Sequence, residues 1–154
     1  MYSQIDGLPM HPLVVHAVVV LVPLATVGAL LVAVRPQWSR TYGPLVAAVA
    51  VAGAGAAFVA RAAGVALQRT LRGAGDPLEG IEDHSRWGLW VLVLGLAFAV
   101  VTVAGTVLAR RDGPRGRPAQ VTAWLAVGLG AAATAVTFLA GESGATSVWG
   151  YVYG

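Results

Sequence analysis

The sequence predicts an all-α fold, an integral membrane four-helix bundle of up-down topology, and three observations predict it. The 154 residues are 57% hydrophobic and only 11% charged, against about 25% charged in an ordinary soluble domain. Mean hydropathy is +0.73. Four apolar runs each reach the roughly 20 residues that a helix needs to cross a bilayer. Their short polar connections force the helices to alternate in direction. A single transmembrane domain over residues 1–154 is expected, with helices at about 12–34, 44–67, 84–109 and 120–140.

Residues 1–11 are polar, with Asp6 and no Lys or Arg, so they lack the positive start of a cleaved secretory signal. The first apolar run therefore reads as a retained anchor. Pro12 suits a first helical position, and Leu13 to Val34 forms the first span. Pro23 should kink it, with Thr26 near enough to satisfy freed backbone groups. The polar turn Arg35-Pro36-Gln37-Trp38-Ser39-Arg40 leads to a second span, Leu45 to Leu67. There Gly53-Ala54-Gly55-Ala56-Ala57 invites close helix approach. Arg61 lies inside this span, placed to snorkel to the interface or to neutralise an anion.

The longest loop, 68–86, mixes Arg69, Arg72, Asp76, Glu79, Glu82, Asp83, His84 and Arg86. Asp83 reads as the N-cap of a third span ending near Ala109, which puts His84 in its first turn. After the basic, proline-broken turn 110–118, a fourth span runs from Val121 to Ala140, with small residues at Gly128, Gly130, Ala131 and Ala132. It is expected to stop at Gly141-Glu142-Ser143-Gly144, leaving the aromatic residues of 149–153 as an interfacial anchor.

Alternation gathers the starts of helices 1 and 3 and the ends of helices 2 and 4 at one membrane face. His11, His16, Arg61, His84 and Glu142 therefore converge there. Arg35, Arg40, Arg110, Arg111, Arg115 and Arg117 fall at the opposite face. The excess of positive charge assigns that face to the cytoplasm and both termini to the outside of the bacterial inner membrane.

Ionisable residues in hydrocarbon are functional candidates by default. With helices 1 and 3 diagonal across the core, His16 and His84 are expected to face each other. Near helix N-termini an imidazole is kept neutral, the form that binds metals. The reading that follows is a b-type haem, or less favourably a bare metal ion, bound by His16 and His84, with Arg61 or Arg86 pairing with the haem propionates. His11 is a further cofactor-binding candidate. It lies five positions before His16, about 140° away around a continuous helix, so the two make no same-face pair.

Bland readings stand beside this one: His11 anchors the helix start, His16 bonds a neighbouring backbone, and His84 is solvated. Two other functions stay open, a structural or assembly subunit of a membrane complex without cofactor, and a small proton or solute conduit through His16, Arg61, His84 and Glu142. The chain contains no Cys, so disulfides, thiolate metal sites and Cys-x-x-Cys-His haem attachment are excluded. No phosphate loop, His-Glu-x-x-His or supported Ser-His-Asp set appears, and a stand-alone enzyme is not expected. The expected partners are the lipid bilayer and a redox or membrane-complex partner, with a second copy of the chain as a homo-oligomer also open. No basic cluster interleaved with aromatics points to nucleic acid.

Gly7-Leu8-Pro9-Met10-His11-Pro12-Leu13-Val14-Val15-His16 at the first span resembles the bacterial membrane-protein family catalogued as domain of unknown function 2231. Ala63-Gly64-Val65-Ala66-Leu67 with Arg69 is similar to that family's Ala-Gly-Glu-x-Leu element. His84 is similar to its histidine opening helix 3, and Gly141-Glu142-Ser143-Gly144-Ala145 with Trp149 to its Gly-His-Ser-Gly-Ala ending. The resemblance implies a four-helix membrane protein without an established activity. Related domains occur beside cytochrome and Rieske-type modules, which implies a redox role by association. Val65 stands where the family often has Glu, and Glu142 where it often has His; if the family's fourth-helix histidine is a ligand, this chain lacks it and binds nothing or binds through His16 and His84 alone.

Overall fold

The computed structural model describes residues 4–5, 8–74 and 81–153. A two-residue antiparallel ladder, β1 (Gln4–Ile5) with β2 (Leu8–Pro9), precedes helix α1 (Met10–Val34). A single 3-10 turn at Pro36–Trp38 leads into α2 (Ser39–Ala74), followed by α3 (Ile81–Arg111) and α4 (Arg117–Tyr153). Each helix is long and apolar enough to cross a membrane. The helices neighbour one another in the cyclic order α1, α2, α3, α4, so α1 lies diagonally across from α3.

Several boundaries differ from the sequence reading, and α2, expected over about 44–67, spans Ser39–Ala74. Helix α1 begins before Pro12, which brings His11 into its first turn. Helix α3 begins at Ile81, so Asp83 sits inside the first turn, where its charge favours the helix dipole, and not at the cap. Helix α4 continues through Gly141-Glu142-Ser143-Gly144 to Tyr153. The apolar run ends there but the hydrogen-bonded backbone does not, because two glycines in a long, packed helix weaken it without ending it. Asp76 and Glu79 of the expected loop, and the side chains of the 149–153 aromatic anchor, lie outside the described residues.

The core is sorted by size. Ala25, Ala29, Ala50, Ala54, Ala57, Ala60, Ala126, Ala133 and Ala140 are buried, while Val20, Leu24, Leu45, Phe58, Val100 and Phe138 face outward. In lipid both faces of a helix are apolar, so close backbone approach selects small residues for the inside. Phe98, 1% exposed, is the largest side chain in the core. It fits because Gly130 lies against it, where a Cβ would come within 3.1 Å of the Phe98 ring and 2.7 Å of Thr26 Oγ1.

Buried hydroxyls are satisfied mostly by their own helix. Thr102 donates to the Phe98 carbonyl (2.7 Å) and Thr137 to that of Ala133 (2.8 Å). Thr26 donates to the Val22 carbonyl at 2.9 Å, and its oxygen lies 3.2 Å from that of Thr134 on α4. The carbonyl that Pro23 leaves without its usual donor is that of Val19, so the Thr26 hydroxyl bonds elsewhere.

The bundle contains an internal repeat. A shift of 73 positions carries 11 to 84 and takes the buried Val18, Val22, Ala25 and Ala29 of α1 onto the buried Val91, Gly95, Phe98 and Thr102 of α3. A shift of 80 positions carries 60 to 140 and takes Ser39, Val46, Ala50, Gly53 and Ala57 of α2 onto Ala119, Ala126, Gly130, Ala133 and Thr137 of α4, all buried. Given the cyclic helix order, a half-turn about the bundle axis relates the hairpin α1–α2 to the hairpin α3–α4. This is the parallel kind of repeat found in membrane proteins.

Candidate functional site: a pair of imidazoles between two hairpins

The half-turn brings His11 opposite His84. Their ring centres are 5.8 Å apart and their planes perpendicular. Each ring is held by the second helix of its own hairpin. Nδ1 of His11 lies 2.9 Å from the Ala60 carbonyl oxygen, and Nδ1 of His84 lies 3.0 Å from that of Ala140. A carbonyl oxygen only accepts, so both Nδ1 atoms carry a proton, and in the neutral form of each ring Nε2 keeps a lone pair. Ser143 Oγ, 3.3 Å from His84 Nδ1, itself donates to the Ala140 carbonyl at 3.0 Å.

One helical turn after each carbonyl stands a glycine that leaves room for the ring. A Cβ at Gly64 would lie 3.1 Å from His11 Cε1, and one at Gly144 would lie 3.0 Å from His84 Cε1. The same three-part arrangement of imidazole, carbonyl and glycine thus occurs once per hairpin.

Two clefts meet at this pair. One, of about 440 Å³ counting the space open to the outside, is walled by apolar and small groups, including Val15, Val18, Ala57, Val91 and Gly141. The other, of about 320 Å³ on the same basis, opens between α2 and α3 and is polar, with Arg61, Gln68 and Ser85 beside Gly64 and Gly88. Arg61 Nη1 donates to Ser85 Oγ at 2.9 Å.

The sequence reading gathered the scarce ionisable groups at this end of the bundle, and His11, Arg61 and His84 do meet there. The histidine facing His84 is His11, where His16 was expected. His16 is exposed, as its angular offset from His11 on one continuous helix requires. Arg86 is also exposed, 3.9 Å from Asp83, and lines neither cleft. Glu142 is exposed on α4. Among the described residues no three metal-binding side chains cluster. Sequence reasoning missed Ser85 and Gln68, and it quoted Gly64 and Gly144 in the family motifs without giving them a role. The repeat, visible once burial is known, sets Gly64 and Gly144 at the same distance after equivalent residues.

Fold and site together define a polytopic membrane protein built from two like hairpins with a histidine pair between them. Residues 7–154 match a family described as predicted membrane protein (DUF2231), and the chain belongs to that family. No curated protein and no solved structure matches it.

Proposed function

We propose that the protein is a membrane-embedded electron carrier holding the iron of a b-type haem between Nε2 of His11 and Nε2 of His84. The observation that carries this reading is the matched orientation of the two rings. Each gives its Nδ1 proton to a backbone carbonyl, at 2.9 and 3.0 Å, which leaves Nε2 of the neutral ring free to bind a metal. Metal-bound histidines are held in this way, by an acceptor on the other ring nitrogen that fixes tautomer and direction.

The donor set fits. The two rings, with centres 5.8 Å apart, are the residues that would hold the iron. The clefts flank the pair between the hairpins, where Ala57, Ala60, Gly88 and Ala140 keep side-chain bulk low. Bound haem supplies one-electron transfer at its iron. Around it the chain orients both imidazoles, and Val15, Val18 and Val91 keep water from the apolar edge. In the bacterial inner membrane, with the arginine-rich turns inside, the centre lies near the outer surface. A redox partner or membrane complex reaches it there.

The edge-to-face contact of the rings favours a second reading, a single bare ion between them, because a lone ion needs no slot for a macrocycle. An absorbance spectrum and metal analysis of the detergent-purified protein test both. A Soret band with iron, lost in His11→Ala and in His84→Ala and kept in His16→Ala, supports haem. A colourless protein with one equivalent of copper or zinc supports the bare ion. A colourless, metal-free protein that gains neither on reconstitution overturns both.

A further inference from the structure

The internal repeat gives Arg61 a control within the same molecule. Its equivalent, 80 positions on, is Gly141, where an added Cβ would meet nothing within 4 Å. The fold therefore asks for no side chain at this place in the second helix of a hairpin. Yet one hairpin carries a guanidinium there, in a membrane span where an ionised side chain is costly. Packing does not explain it.

Its surroundings on this flank are polar. Ser85, which accepts from Arg61, has Pro12 as its equivalent, and Gln68 has Val148. Among the described residues Arg61 forms no ion pair. Among the described residues one acceptor, Ser85 Oγ, meets its five N–H donors, in a cleft that opens between α2 and α3. The Ser85 hydroxyl, accepting from Arg61, keeps its own proton to donate.

We infer that this flank binds a carboxylate, held by the Arg61 guanidinium with the Ser85 hydroxyl beside it. Planar guanidinium and carboxylate match through two parallel hydrogen bonds. The carboxylate comes from one of two sources, the acidic edge of a group held by the histidine pair or a free small carboxylate. The inference rests on the comparison of the hairpins and stands whether or not a metal is bound.

Two arms of one experiment separate the sources. In the first, the metal-free full-length protein in detergent is titrated with sodium acetate against sodium chloride at constant ionic strength, following thermal unfolding. In the second, haemin and its dimethyl ester, which lacks free carboxylates, are titrated and followed by absorbance. A saturable rise in Tm with acetate, absent in Arg61→Gly and at least threefold weaker in Ser85→Ala, supports a free carboxylate. At least tenfold tighter binding of haemin than of its ester, levelled by Arg61→Gly, supports the acidic edge of a bound group. The inference is overturned if Arg61→Gly responds like the wild-type protein in both arms, or if the wild-type protein responds in neither. It is also overturned if Arg61→Gly fails to fold in chloride, since Arg61 is then structural. A failed haemin arm beside a positive acetate arm removes the haem reading and leaves this one standing.

Discussion

Adding one methyl group at Gly64 or Gly144 separates the role of the imidazoles from the stability of the bundle. The new Cβ would lie 3.1 Å from Cε1 and 3.2 Å from Nδ1 of His11 in Gly64→Ala, and 3.0 and 3.1 Å from the same atoms of His84 in Gly144→Ala. Carbon contacts are comfortable at about 3.5–4.0 Å, so each ring must retreat by about half an ångström. That movement strains the Nδ1 bonds of 2.9 and 3.0 Å and turns Nε2 off its line.

Weakening such a bond costs about 0.5–1.5 kcal/mol, and replacing a mid-helix glycine by alanine returns about 0.5–1 kcal/mol. The two nearly cancel, so global stability should change by less than about 1 kcal/mol. Metal affinity should fall about 10–100-fold, the range seen when the support of a ligating histidine is disturbed. Gly55→Ala and Gly128→Ala are the controls, because a Cβ there meets nothing within 4 Å. The assay pairs metal or haem titration with thermal unfolding in the same detergent. Wild-type affinity in Gly64→Ala and Gly144→Ala, or an equal loss in the controls, would refute the reasoning.

Three further outcomes follow from the packing. Gly130→Ala should destabilise the bundle by about 1–3 kcal/mol through overpacking against Thr26 and Phe98, while Gly128→Ala should stabilise it by about 0.5–1 kcal/mol; unfolding curves of the two variants check the sign. A double-mutant cycle with Thr26→Val and Thr134→Val should give a coupling of about 0.6 kcal/mol, typical of hydrogen bonds between membrane helices, and a coupling of zero would remove the bond from the account. His16→Ala should leave ligand binding within twofold of wild type, whereas His11→Ala should abolish it, as read from the bound spectrum or metal content.

Much of the architecture was legible because the signals behind it are local. A run such as Leu13 to Val34 spans a membrane whatever surrounds it, since its backbone must be satisfied within the helix. The convergence of His11, Arg61 and His84 at one end needed only the count of spans, because direction alternates with each crossing. The repeat was not legible in the sequence, because the 73- and 80-position shifts pair residues of unlike type, such as Ala25 with Phe98 and Ser39 with Ala119. What the shifts preserve is which positions are buried, and burial shows only after folding.

Facing was not legible. A soluble helix marks its inner side by polarity, but α1 is apolar all round, with buried Val18, Val22 and Ala25 beside exposed Val19, Val20 and Leu24. The sequence therefore named the histidines without saying which one pointed inward. That choice was made by the start of α1 at Met10, which puts His11 inside the first turn, and by the Ala60 carbonyl and the open side of Gly64, which give its ring a place. By itself the sequence determined four membrane-spanning helices and the end at which their ionisable groups gather, because hydropathy and alternation act along the chain. Only the tertiary structure decided that His11 meets His84, that Arg61 stands opposite a glycine in its sister hairpin, and that His16 faces outward. Those relations depend on helix phase and on contacts between residues far apart in the chain, and lipid-facing and core-facing valines look alike until the helices pack.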